Sequence, residues 1–224
     1  ERWPDARVLR WDRDVARSHA AHTAMMSTFV RGEADILVGT QMIARGLDVP
    51  KVTVVGVISA DTALNLPDFR ASEWTFQLLA QVAGRAGRGL LDGQVTIQTY
   101  HPDHYAVRYA ADHDYEGFAQ REMAFRRRTG YPPIIRLARL VYSHREPEQA
   151  QAASEEMAAR LRHALKREGL SEDDLIGPAP AFYARVRGRY RWQILLRSVD
   201  PAGFLRSVDL PTHWQIDIDP ISVL

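Results

Sequence analysis

Short apolar runs and segments with helical spacing alternate along the first hundred or so residues. The apolar runs predict strands at 8–11, 35–38, 52–58 and 95–99. The segments between them predict helices at 16–30, 42–46 and 72–86, with Ser72 as the N-cap of the last. Unbroken apolar runs suit strands that are covered on both faces. The alternation therefore predicts a buried parallel sheet in a doubly wound α/β domain.

The second half of the chain follows a different order. A polar helical pattern over 104–127, closed by Gly130 and Pro132–Pro133, predicts one linking helix. Beyond it we expect strands at 135–141, 176–186, 190–196 and 214–218, and helices at 146–167 and 201–208. Gly188 would lie in the turn of a hairpin between the second and third of these strands. This βαββαβ order is typical of a small α+β sandwich. We therefore predict a first domain over 1–103, a linking helix over 104–130 and a second domain over 131–224.

Composition and charge narrow the range of possible functions. The chain is 46% hydrophobic and 25% charged, which is ordinary for a folded domain. No apolar run approaches a membrane span, and the absence of cysteine excludes disulfides, thiolate zinc sites and a cysteine nucleophile within this chain. Seven arginines stand against one acid over 121–145, and five against none over 183–197. Such clusters predict a surface for nucleic acid or for an acidic peptide.

One string could carry phosphate chemistry. Gln81-Val-Ala-Gly-Arg85-Ala-Gly-Arg88 places two arginines three residues apart, on one face of a helix. Guanidinium groups arranged in this way can reach a polyphosphate as an arginine finger does. The alternative is structural, because cations near a helix C-terminus also stabilise the helix dipole.

A second string follows a predicted strand, where α/β sheets place their sites. It reads Gly39-Thr40-Gln-Met-Ile-Ala-Arg-Gly46-Leu-Asp48. The Thr40 hydroxyl could hold a phosphate, and Asp48 could accept a hydrogen bond from a ribose hydroxyl. An ordinary strand–helix turn explains the same residues.

Taken together, the two strings resemble motifs V and VI of superfamily 2 helicases. The segment between them, DTALNLPDFRASEWTFQLL from Asp61 to Leu79, closely resembles the bacterial replication restart helicases. Further strings resemble the C-terminal domain of that family, in order, at 128–133, 176–180, 187–196 and 217–220. The resemblance covers nearly the whole chain. It implies part of a RecA-like second helicase lobe, followed by a C-terminal α+β domain.

The resemblance implies roles for the motif residues. In this family the second lobe closes over ATP that the first lobe holds. Arg88 would be the arginine finger, Arg85 a second phosphate contact and Gln81 a sensor of the nucleotide state. Gly46 and Asp48 would lie near the nucleotide, and Thr40 would touch the DNA backbone.

The sequence also lacks parts of a complete motor. No GxxxxGK[ST] string and no acidic box for magnesium occurs. ATP and Mg²⁺ would therefore bind only when the first lobe completes the site, and we expect no ATPase activity from this chain alone. The first lobe and the zinc segment of the family would lie upstream of Glu1. The histidine pairs at 19/22 and 101/104 lack a convincing third ligand, so no metal site is predicted.

The resemblance also implies partners for the C-terminal domain: branched DNA, single-stranded DNA and the acidic tail of single-strand DNA-binding protein. Alternation along 185–193 predicts the arginines on one face of the hairpin and Tyr190, Trp192 and Ile194 on the other. Arg189 and Gln193 are the candidates for the tail. The candidates for DNA phosphate are Arg185, Arg187 and Arg191. A solvated strand face is the alternative.

The leading hypothesis is the C-terminal part of an ATP-dependent DNA helicase that works at stalled forks with other primosome proteins. Such a protein would act in the bacterial cytoplasm, at the nucleoid, with no membrane partner. The alternative is a motor-dead module, derived from a helicase, that binds forked DNA and primosome partners. An unrelated nucleotide-binding enzyme would need a strand–Gly-rich-loop–helix element, and none is found.

Overall fold

The computed structural model describes residues 3–12, 18–40, 52–84 and 93–224. The chain divides into two compact units, one made of Glu1–Asn65 with Ser72–Phe118 and the other of Leu66–Ala71 with Ala119–Leu224. The division at 103 and 131 that the sequence suggests remains a prediction. Within the parts of the chain described here, no helix combines the length and the apolar character that crossing a membrane requires.

Two parallel strand pairs form the sheets of the first unit. Strand β1 (Val8–Trp11) pairs with β2 (Ile36–Gly39), and β3 (Val54–Val57) pairs with β4 (Gln94–Ile97). Helix α1 (His19–Val30) packs Met25, Met26 and Phe29 around the buried Trp11. Parallel strands joined through helices confirm the predicted α/β class.

The prediction that these strands are buried on both faces is wrong for the residues described. Val8 is 61% exposed and Val54 is 65% exposed. The physical reason is that each two-stranded sheet packs apolar side chains on one face, while no described element covers the other. The start of α1 also differs from the prediction. The Ser18 side chain caps this helix by accepting a hydrogen bond from the backbone N–H of Ala21, so the helix begins at His19.

Helices α2 (Asp61–Leu64) and α3 (Ala71–Ala83) follow β3. The apolar face of α3 buries Phe76 and Leu79 against Phe118 and the small residues of the next helix. Ser72 is not the N-cap, because α3 already begins at Ala71. The Asp68 carbonyl accepts the backbone N–H of Ala71 at 3.0 Å, which starts the helix earlier than the serine suggested.

The single helix predicted over 104–127 is wrong. The structure has α4 (Tyr105–Ala111) and α5 (Tyr115–Thr129), separated by a turn in which His113 takes a left-handed conformation with φ 54°. The Asp114 carboxylate accepts the backbone N–H of Gly117 at 2.8 Å and so opens the second helix. His104 caps α4 by accepting the backbone N–H of Ala106. The polar pattern over 104–127 therefore contains the Asp114 cap, which the pattern alone does not reveal.

The second unit confirms the predicted βαββαβ order. Its elements are β5 (Arg136–His144), α6 (Pro147–Arg167), β6 (Leu175–Val186), β7 (Arg189–Ser198), α7 (Pro201–Arg206) and β8 (Gln215–Ile218). The strands lie in the order β6-β7-β5-β8, and each is antiparallel to its neighbours. One face of the sheet buries Leu140, Ile194 and Leu196 against Leu161 and Leu165 of α6.

The opposite face of this sheet carries a second, smaller core. Leu137, Leu195 and Val223 are buried there, with Phe69 and Tyr131 packed against them. Phe69 stacks on Tyr131 with ring centroids 5.6 Å apart and an angle of 7° between the planes. The segment Leu66–Ala71 thus belongs to the second unit and packs with its sheet.

Candidate nucleic-acid interface

The motif residues of the first unit are only partly described. Thr40 follows β2 directly and is exposed at the carboxyl end of the strand, as predicted. Gln81 lies in the last turn of α3 and is half-buried. Four further predicted residues lie outside the described part of the chain: Gly46, Asp48, Arg85 and Arg88.

The hairpin of the second unit forms where the sequence predicts it. Val186 pairs with Arg189, which leaves Arg187 and Gly188 as a two-residue loop. Both loop residues have positive φ, 50° and 77°, as a type I′ turn requires. Residues 182–189 are all exposed. The arginines of the loop and of its flanks therefore face solvent.

The predicted separation of the hairpin into two faces is wrong for Arg185. This residue pairs directly with Tyr190, and its guanidinium carbon lies 5.2 Å from the centre of the Tyr190 ring. Residues opposite each other on antiparallel strands share a face. Because the loop has two residues, odd positions of β6 near the turn pair with even positions of β7. Arg185 therefore lies on the Tyr190 face, and Arg187 lies in the turn.

Three of the predicted residues do share one face of the sheet. Arg189, Arg191 and Gln193 occupy alternate positions of β7. Arg189 donates a hydrogen bond from Nη2 to the carbonyl of Ser143 at 3.0 Å. The Gln193 Oε1 atom accepts one from Nε of Arg139 at 3.0 Å. Both side chains are thus held against β5, with Arg191 between them along the strand.

Arg139 is a functional candidate that the sequence predicts only as a member of a cluster of arginines. It is 9% exposed, and its Nη2 atom is buried without a hydrogen-bond partner among the described residues. Burial lowers the pKa of Arg139, and the nearby Arg191 cation lowers it further, while Asp217 and Asp68 oppose the shift. A buried guanidinium with an unmade donor is costly unless a ligand completes it. The sequence signal that could have identified Arg139 was its place between apolar residues of a predicted strand.

No group of side chains suited to holding a metal ion occurs among the residues that the structure describes. Of the two histidine pairs considered as metal ligands, His104 uses its side chain to cap α4.

Comparison with known proteins assigns most of the chain to two family models. Residues 8–89 match the family model of the helicase conserved C-terminal domain, and residues 127–221 match that of the Primosomal protein N C-terminal domain. The chain therefore joins a helicase C-terminal domain to a primosomal protein N C-terminal domain. It belongs to the family of the replication restart protein PriA.

Relatives from several bacteria carry that name. The protein of Bacillus subtilis is 49% identical over 194 residues, covering 87% of this chain and 24% of the relative. The protein of Synechocystis is 39% identical over 233 residues, covering 100% of this chain and 27% of the relative. The protein of Treponema pallidum is 40% identical over 233 residues, covering 99% of this chain and 34% of the relative. The chain thus spans about a quarter to a third of the length of these relatives.

Proposed function

We propose that this chain contributes one side of the ATP site, together with a DNA- and partner-binding domain, to an ATP-dependent helicase that restarts replication at stalled forks. The observation that carries the proposal is the match of both domains, in order, within one chain. A protein with this role works in the bacterial cytoplasm at the nucleoid, together with other primosome proteins.

The motor contribution lies in the segment that begins with Gln81. Arg88 is the arginine finger of the proposal and Arg85 a second phosphate contact, while Gln81 senses the nucleotide state. Gly46 and Asp48 lie near the nucleotide, and Thr40 touches the DNA backbone. The position of Gln81 in the last turn of α3 supports this, because the two arginines come four and seven residues after it in the sequence. The first lobe supplies the sites for ATP and Mg²⁺, so the chain alone does not hydrolyse ATP.

The binding contribution lies on the hairpin of the C-terminal unit. Arg185, Arg187 and Arg191 bind DNA phosphates in this proposal, since arginine forks match phosphate oxygens. Arg189 and Gln193 bind the acidic tail of single-strand DNA-binding protein. The buried Arg139 beside Gln193 supports the second assignment, because its free Nη2 donor suits a carboxylate.

The experiment that tests the proposal is the DNA-stimulated ATPase rate of the complete protein and of its Arg88→Lys variant. Lysine keeps the charge but loses the planar fork, and we expect a rate about a thousandfold lower with DNA affinity unchanged. Retained ATPase in the variant would contradict the arginine finger. A wild-type protein that binds forks without hydrolysing ATP would favour the motor-dead alternative.

A further inference from the structure

Two aromatic side chains are exposed side by side near the tip of the hairpin. Phe182 is 45% exposed and Tyr183 is 58% exposed, and their ring centroids lie 5.0 Å apart in an edge-to-face arrangement. The residues that follow them are exposed as well, since 182–189 has no buried member. Large apolar rings in this setting leave their contact area open to a ligand.

An irregularity of β6 brings the two rings together. Pro180 pairs with Trp192 and Arg185 pairs with Tyr190, so five steps along β6 correspond to two steps along β7. In a regular strand, neighbouring side chains point to opposite faces and their rings do not meet. The extra residues form a bulge, and bulges reorient side chains. Phe182 and Tyr183 lie within it.

The charge around the rings indicates what could cover them. The hairpin over 175–199 carries five arginines and no acidic residue. Arg185 and Arg187 lie two and four residues beyond Tyr183, and both are exposed. A ligand that satisfies cations and flat rings at once is a polyanion with accessible flat bases. Duplex DNA hides the faces of its bases in the stack, whereas single-stranded DNA presents them.

We propose that Phe182 and Tyr183 form a base-stacking platform for unpaired nucleotides of a DNA fork, with Arg185 and Arg187 on the adjacent phosphates. This inference rests on the proposed DNA-binding function and names the part of the DNA that the hairpin contacts. A stacked base contributes affinity that does not depend on sequence, because every base has a π-face.

The test compares two forks in binding to the complete protein. One fork has a single-stranded arm of thymidines, and the other has an arm of abasic nucleotides with the same number of phosphates. We expect the wild type to bind the thymidine arm at least about fivefold more tightly. F182L/Y183L keeps apolar side chains but removes the rings, and should bind both forks as the wild type binds the abasic one. F182Y should retain the preference.

Two controls separate stacking from charge. Val199→Ala changes another exposed apolar side chain of the same unit, 78% exposed, and should leave binding of both forks unaltered. Arg185→Ala should weaken both forks equally and reduce the slope of log affinity against log salt by about 0.7, the value for one phosphate of a single strand, whereas F182L/Y183L should not change this slope.

Each contrary outcome is informative. F182L/Y183L that still prefers the thymidine arm would overturn the platform while leaving the proposed function intact. Equal weakening of both forks by F182L/Y183L would also overturn it, because the rings would then pack on something other than bases. A wild type with no fork binding, or with a flat salt response, would overturn the proposed DNA-binding function and the platform with it.

Discussion

Asp68 holds Val223 although 155 positions separate them in the sequence. The Asp68 Oδ2 atom accepts the backbone N–H of Val223 at 2.7 Å and the Ser222 hydroxyl at 2.8 Å. The guanidinium of Arg70 adds a longer hydrogen bond of 3.3 Å to the carbonyl of Ile221. Helix α3, which carries Gln81, begins at Ala71. Within the second unit, the segment Leu66–Ala71 is therefore fixed to the last residues of the chain.

Asp68→Ala should destabilise the second unit by about 1–3 kcal/mol, because the Ser222 hydroxyl and the backbone N–H groups of Arg70 and Val223 lose their acceptor. Urea unfolding of the chain, followed by tryptophan fluorescence, measures the change. Asp209→Ala removes an exposed carboxylate of the same unit and should change the stability by no more than about 0.5 kcal/mol. Equal effects of the two substitutions would contradict a structural role for Asp68.

Glu122 and Arg126 form an ion pair inside the second unit. Their side chains are 6% and 9% exposed, and Arg126 Nε lies 2.7 Å from Glu122 Oε1. Glu122→Gln removes one charge and leaves the other buried, so we expect a loss of about 3–5 kcal/mol. The exposed pair Glu156–Arg160 has the same i,i+4 spacing, and Glu156→Gln should cost at most about 1 kcal/mol.

Replacing both members of the buried pair tests the cause of that loss. E122L/R126M should be more stable than Glu122→Gln alone, because no uncompensated charge remains. Recovery should be incomplete, since Arg126 also donates to the Pro132 carbonyl at 3.0 Å and lies 5.4 Å from the centre of the Phe69 ring. A double variant no more stable than the single one would show that the packing of these side chains, and not their charge, dominates.

Asp219 gives the second unit a pH dependence of known sign. Its hydrogen bonds from the Arg136 guanidinium hold the pKa of the Asp219 carboxyl below its usual range. A lowered pKa in the folded state means that the stabilisation is present above the unfolded value of about 3.9 and is lost as the pH falls through the folded value. Asp219→Asn should therefore lower the melting temperature at pH 7 and make little difference at pH 2.

Asparagine is the suitable replacement at this position. Asp219 has a φ of 53°, and asparagine tolerates the left-handed conformation better than most residues. The backbone should therefore keep its geometry while the charge is removed. The prediction fails if wild type and Asp219→Asn differ as much at pH 2 as at pH 7.

The order of elements in the second unit could be predicted from the sequence because its signals are local. Pro147 opens α6, Gly188 marks a two-residue turn, and apolar alternation defines the strands. The faces of the hairpin could not be predicted, because they depend on the number of loop residues and on a bulge in β6. The break between α4 and α5 was missed for a related reason, since the Asp114 cap lies within a continuous polar pattern.

The sequence predicts that the candidate site is a cluster of cations. It does not predict how these side chains are arranged on the sheet. Sequence motifs selected Arg189 and Gln193, and the structure places them on one face of β7. Arg139 was missed because its role depends on a neighbouring strand, where Gln193 lies within hydrogen-bond distance. Contacts between residues this far apart in sequence have no local signature. The same holds for Asp68, whose partners lie at the other end of the chain.

Arg139→Met separates binding from stability at the proposed site for the acidic tail. Methionine has a similar length and no charge, so it removes the Nη2 donor that lacks a partner among the described residues, together with the Nε hydrogen bond to the half-buried Gln193. We expect stability that is unchanged or higher, because the desolvation of the guanidinium no longer opposes folding. At the same time, the affinity of the complete protein for an acidic peptide with a free terminal carboxylate should fall about tenfold, since charged hydrogen bonds contribute about 1.5–3 kcal/mol.

Arg167→Met provides the matched control, because Arg167 is an exposed arginine in the last turn of α6, on the other face of the sheet. It should change neither unfolding nor peptide affinity. Titration of a labelled peptide, followed by fluorescence anisotropy, measures binding, and urea unfolding measures stability. A stability loss of several kcal/mol in Arg139→Met with unchanged peptide affinity would show that Arg139 is structural. Unchanged or higher stability together with weaker peptide binding would identify Arg139 as a ligand-binding residue. A residue retained for folding does not improve stability when it is removed.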